Sequence, residues 1–168
     1  IPMLRSIIKM QLQNNAEIVY VFDTNARQLE NNYFIEKYID ELKKNIFSEF
    51  PGQIAYFCKE NPLLDKPNSN LNLNLSGMVY GKNEGLENFL PNINSGFIQG
   101  NFNPLFLLKS EDQFKLELDK FIQKFSRLSA DERSGWVCSL SHGVLPKSKE
   151  DNVKHFISEV RSVFSEID

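Results

Sequence analysis

The stretch Trp136-Val137-Cys138-Ser139-Leu140-Ser141-His142-Gly143-Val144-Leu145-Pro146 decides how this chain is read. A short apolar run delivers a His-Gly pair to its end, a Pro-marked loop follows, and Asn152-Val153 then opens an apolar-periodic tail. α/β proteins present reactive side chains in this way, at the carboxyl end of a strand that feeds a helix.

Working outward, similar units precede it. Ile18-Val19-Tyr20-Val21-Phe22 is a β-branched and aromatic run with apolar residues on both faces, as in a buried parallel strand, and Asp23-Thr24-Asn25 ends it. From Tyr33 to Phe50 the residues Phe34, Tyr38, Leu42, Ile46 and Phe50 recur every four positions. That spacing predicts an amphipathic helix, stopped by Pro51-Gly52. Ile54–Phe57, Ser76–Tyr80 and Gly96–Gln99 read as further strands, with a loop and one helical turn in 60–74 and a short helix in 86–90. Pro2–Gln13 has Leu4, Ile7 and Ile8 at helical spacing. Ser110 and Gln113 are set as a capping box before the stripe Phe114, Leu118, Phe121, Ile122 and Phe125. A last helix starts near Ser148 or Lys149, with Val153, Phe156, Ile157, Val160 and Phe164 inward.

The alternation predicts an α/β fold of parallel β-strands covered by helices, joined by right-handed crossovers. Periodicity alone leaves an open doubly wound sheet and part of a barrel equally available. Residues 1–168 are expected to form one domain, a partial one if the architecture is a barrel, because five strands do not close an eight-stranded ring.

Composition narrows the function classes. Net charge is −3, which gives no electrostatic case for nucleic acid, so an anionic ligand needs a local basic pocket. Cys58 and Cys138 sit in apolar runs and read as reduced thiols, which predicts a cytoplasmic setting rather than a disulfide framework. No apolar run is long enough for a membrane span, and no signal or transit segment is legible. The start at Ile1-Pro2 fits a fragment, a processed chain or a trimmed one.

The strand ends supply the candidate chemistry: Asp23, Thr24 and Asn25; Cys58, Lys59 and Glu60; Tyr80, Gly81 and Lys82; Gln99, Gly100 and Asn101; Ser141, His142 and Gly143. An imidazole changes charge near neutral pH and can balance a carboxylate, although a His in a loop is as readily satisfied locally. Thr24 and Asn25 also read as a turn or cap, and Lys59 as a solvated rim charge. There is no Gly-rich phosphate loop, no Gly-x-Ser-x-Gly elbow and no evident nucleophile beside His142. His155 falls on the polar side of the final helix, and the 14 phenylalanines mark core stripes.

In order along the chain, Val21-Phe22-Asp23-Thr24, Gln99-Gly100-Asn101-Phe102-Asn103-Pro104 and the His142-Gly143 segment resemble the carboxyl-terminal half of the uroporphyrinogen decarboxylase family. The family patterns are Phe-Asp/Glu-Ser, Leu-Gln-Gly-Asn-Leu-Asp-Pro, and Asn-Leu-Gly-His-Gly with a later Pro and Glu-Asn-Val. The resemblance implies the fourth to eighth βα units of a TIM-type (β/α)8 barrel. It implies a carboxy-lyase that converts uroporphyrinogen to coproporphyrinogen for haem biosynthesis, acting on a tetrapyrrole with no metal or organic cofactor, as a homodimer. His142 and Thr24 would then be the catalytic pair, with Asp23, Gln99, Asn101 and Lys59 binding substrate. The family's carboxylate-gripping arginines and pyrrole-binding aspartate lie in its amino-terminal half, so these residues alone would be inactive unless a longer or complementing chain supplies the rest.

Departures from the pattern are Ser139-Leu140-Ser141 before the His, Val79-Tyr80-Gly81 at one strand end, and Asn103 for Asp. They leave two alternatives. One is a zinc-dependent corrinoid or thiol methyltransferase of the same superfamily, although Cys58 lies one position early for its His-x-Cys slot and His142 replaces its Cys. The other is an inactive family member that serves as a binding module.

Overall fold

Among the described residues five strands lie in one sheet in the order β1-β2-β3-β4-β5, and every neighbouring pair is parallel. The structure, a computed structural model, describes residues 1–64, 73–93 and 95–165. The strands are β1 (Val19–Phe22), β2 (Ile54–Phe57), β3 (Gly77–Val79), β4 (Phe97–Phe102) and β5 (Trp136–Leu140).

This order resolves what periodicity left open. A doubly wound sheet reverses its strand order and so covers both faces with helices. Here each strand is added beside the last in one direction. With right-handed crossovers, every connection then falls on the same face. The result is a run of βα units of a TIM-type barrel, helices outside and the other face turned toward a lumen.

Two-residue alternation sorts the strand side chains between those faces. Val19, Val21, Ile54 and Tyr56 join the helix-side core with Ile8, Phe34, Ile39, Leu42, Ile46 and Phe47. A second core gathers Leu86, Leu90, Ile98, Phe102, Phe114, Leu118, Phe121, Phe125 and Phe156. Phe102 lies at its centre, with ring centroids 4.9 Å from Phe156 and 5.2 Å from Phe121. Phe125 stacks on Trp136 at 4.1 Å. Met78 packs against both cores and joins them.

The lumen face differs from the sequence reading. β1 is not buried on both sides: Phe22 is 70% exposed, because the strand faces the open side of an unclosed sheet. Val137 on β5 is 41% exposed for the same reason.

The helix predicted over 33–50 spans residues 31–47, with wide π turns at Phe34–Tyr38 and Lys43–Phe47. The four-residue spacing explains the widening. In an α-helix such a stripe drifts about 40° per repeat, and wider turns bring it back into line with the sheet.

Pro2–Gln13, Glu111–Ser126 and Glu150–Phe164 are the other long helices, and Leu86–Phe89 forms a short one that passes into a 3₁₀ turn. Ser110 is the residue before the Glu111 helix, but its hydroxyl makes no capping bond. Residues 110–113 are all exposed, so water can serve the free N–H groups, while Glu111 and Asp112 complement the helix dipole. Ile157 is 44% exposed rather than inward. His155 is half-buried, edge-on to Phe114. The expected turn in 60–74 is Pro62–Leu64; the rest of that reading, at 65–72, lies outside the described residues. Among the described residues no helix is long and apolar enough to cross a membrane.

Candidate active site

A cleft of about 640 Å³ opens on the lumen face at the carboxyl ends of the strands. Thr24, Lys59, Gln99 and His142 all line it, one from β1's end, one from β2's, one from β4 and one from β5's. Parallel strands bring their carboxyl ends to one edge, so residues far apart in sequence converge without any local motif. Phe22, Phe57, Val79, Leu140 and Val144 supply apolar walls. Apolar walls lower the local dielectric and so strengthen polar contacts made beside them.

The polar groups are oriented. Tyr20, on the same face of β1 as Phe22, donates its hydroxyl to Gln99 Oε1 at 2.8 Å. With the carbonyl oxygen engaged, the amide offers its N–H groups elsewhere. Ser139, on the lumen face of β5, donates its hydroxyl to the Leu140 carbonyl at 2.9 Å. His142 Nδ1 lies 3.2 Å from the Gly143 carbonyl. A carbonyl only accepts, so this contact needs the proton on Nδ1.

The loop that carries His142 is fixed from behind. Ser141, fully buried, donates its hydroxyl to Asn83 Oδ1 at 2.7 Å, and its N–H to the Phe102 carbonyl at 2.9 Å. Asn152, 3% exposed, donates to the Leu107 and Lys109 carbonyls at 3.1 Å each. These bonds dock the final helix onto the segment after β4.

Two residues named from the sequence stand elsewhere. Asp23 follows Phe22 and so turns to the helix side, where its carboxylate accepts from Tyr38 and Tyr56. Burial and the nearby Asp23 charge push both tyrosines' pKa values up, which keeps their hydroxyls as donors. Asn101 is 2% exposed and lines a separate cavity of about 190 Å³ beside Phe106 and Phe121. Strand alternation ends at Gly100, whose φ of +145° suits glycine, and Asn101 turns away beyond it.

The thiols are not poised for chemistry. Burial pushes Cys58 up to about 11 and Cys138 to about 12, so both stay protonated near neutral pH. Cys58 belongs to the helix-side core, across the sheet from His142. Among the described residues no three His, Cys, Asp or Glu side chains group as metal ligands. The donor pair needed for the methyltransferase reading therefore does not converge.

Sequence reading missed Tyr20 and Ser139. The two-residue alternation from Phe22 and from Val137 was the signal that placed them on the cleft face.

Comparison with known proteins gives a consistent result. The profile of the family described as uroporphyrinogen decarboxylase matches residues 2–163. A uroporphyrinogen decarboxylase of Chlorobium phaeobacteroides is 28% identical over 160 residues, which cover 92% of this chain and 44% of the relative. One from Campylobacter curvus is 27% identical over 165 residues, covering 94% and 45% respectively. One from Picrophilus torridus is 24% identical over 160 residues, covering 95% and 46%. The chain spans less than half the length of these relatives.

Proposed function

The chain belongs to the uroporphyrinogen decarboxylase family, and on that premise we propose that residues 1–168 form a partial domain contributing one wall of a uroporphyrinogen decarboxylase active site. The reaction is the cofactor-independent conversion of uroporphyrinogen III to coproporphyrinogen III with release of CO2, in the cytoplasm. The observation that carries this reading is the convergence of Thr24, Lys59, Gln99 and His142 on one apolar-walled cleft.

The groups suit a polycarboxylate. The Lys59 ammonium attracts a carboxylate, and the Gln99 amide and Thr24 hydroxyl donate to its oxygens; His142, its Nδ1 proton held by the Gly143 carbonyl, adds a donor at Nε2 in its imidazolium form. In each decarboxylation a pyrrole accepts a proton and becomes an electron sink. The bond from the acetate methylene to its carboxylate breaks, the electron pair enters the ring as CO2 leaves, a proton then adds to the methylene carbon, and the ring releases the proton it first accepted. This chain's part is to hold the other carboxylates so that the reacting bond is aligned, with donors fixed in advance.

Five strands leave β1 and β5 as open edges. Closing the ring takes three more strands, from further residues of the same protein or from a complementing chain, and the family points to a homodimer.

The test is anaerobic incubation of the intact protein with uroporphyrinogen, with chromatographic separation of the products. Coproporphyrinogen is expected, and His142→Ala should lower kcat/KM about tenfold to a hundredfold, the loss of one hydrogen bond to a charged group. Well-folded protein that yields no product would overturn the reading and favour a non-catalytic binding module.

A further inference from the structure

We infer that Tyr20 is a positioning residue for the cleft: its hydroxyl fixes the Gln99 side-chain amide so that the N–H groups, and not the carbonyl, face a bound carboxylate. The inference rests on the reading of this cleft as a carboxylate site.

A glutamine amide has two nearly isosteric ends of opposite polarity. Unconstrained, it presents whichever end the ligand prefers and loses rotamer freedom on binding. The Tyr20 hydroxyl, 2.8 Å from Gln99 Oε1, removes that choice before the ligand arrives. The tyrosine is itself held. Its ring stacks on Phe22 with centroids 5.9 Å apart and lies 6.0 Å from Phe97. Burial keeps its phenol protonated and therefore a donor. The two residues are 79 positions apart and sit on β1 and β4, so the bond also spans the lumen face of the sheet. Neighbouring groups fit the same polarity: Ser139 spends its proton on a backbone carbonyl, leaving Gln99, Lys59 and Thr24 as the cleft's donors.

The consequence is specific. An amide that holds a substrate carboxylate binds ground and transition states alike, so freeing it raises KM and leaves kcat nearly unchanged. Tyr20→Phe keeps the ring and its stacking and removes only the hydroxyl. In the intact protein, Tyr20→Phe should raise KM for uroporphyrinogen about threefold to tenfold. Gln99→Ala should raise it at least as much, and the double variant should be no worse than Gln99→Ala alone. A merely structural role would instead lower kcat through a smaller folded fraction, or give additive losses.

A second readout does not depend on turnover. In protein labelled with ¹⁵N at glutamine, the Gln99 side-chain resonances should shift and exchange faster in Tyr20→Phe. Normal turnover of the unsubstituted protein with additive KM effects would overturn the inference and leave the decarboxylase reading standing. Absent turnover would overturn that reading, and the labelled amide would then decide: unchanged Gln99 resonances in Tyr20→Phe would overturn the inference as well.

Discussion

Asp23 and Thr24 are neighbours in sequence and work on opposite faces of the sheet. Thr24 opens onto the cleft, while Asp23 clamps Tyr38 of the 31–47 helix and Tyr56 of β2. The carboxylate thus fixes the end of β1, and with it the position of Thr24. Removing it strands two hydroxyls, one of them on the fully buried Tyr56. Asp23→Ala should therefore cost about 2–3 kcal/mol in urea unfolding, and Asp23→Asn less, because an amide oxygen still accepts. An Asp23→Ala variant as stable as the parent protein would refute this account. The residue types at the rim were legible in the sequence. Their division between faces was legible only in part, because alternation places Asp23 opposite Phe22 but fails at Gly100, so Asn101 could not be placed from it.

Among the elements, helix starts show where local patterns mislead. Ser110 with Gln113 has the spacing of a capping box, yet the Ser110 hydroxyl makes no capping bond. Asn103, a departure from the family pattern, does cap: its Oδ1 accepts from Leu105 N at 3.0 Å and starts the turn Pro104–Leu108. Asn103→Ala should cost about 1 kcal/mol, whereas Ser110→Ala should cost less than about 0.5 kcal/mol. Equal losses in chemical denaturation would contradict this ranking. The 31–47 helix carries a similar lesson. A strict four-residue period identified the helix and its buried stripe, but it was also the sign of wide turns.

For the whole molecule, the groups whose pKa values are raised by burial govern its alkaline limit. Cys58 and Cys138 are pushed up to about 11 and 12, and Tyr20, Tyr38, Tyr56 and Tyr80 are raised as well. Above about pH 9 the unfolded chain releases thiol protons, and then phenol protons, that the folded chain retains. The native state then binds more protons than the unfolded one, so stability is complete below that point and falls as pH rises. Tm should drop steadily from about pH 9 to 11, and less steeply in Cys138→Ala. A Tm that stays flat across this range would show that the thiols and phenols ionise as freely in the folded protein.

Sequence alone determined the alternation of strands and helices, the residues at the strand ends and the family likeness, because side-chain periodicity and turn chemistry act over a few residues. Strand order was beyond the reach of periodicity, since each crossover could step to either side with the same local pattern, and only the family likeness implied the sequential order of a barrel. Only the tertiary structure showed that all steps go one way. That choice puts the helices on one face and leaves Phe22 and Val137 open to a lumen. It also brings Tyr20 to Gln99 across 79 positions. Such pairings depend on which strand ends lie side by side, a non-local property set by packing the whole sheet at once.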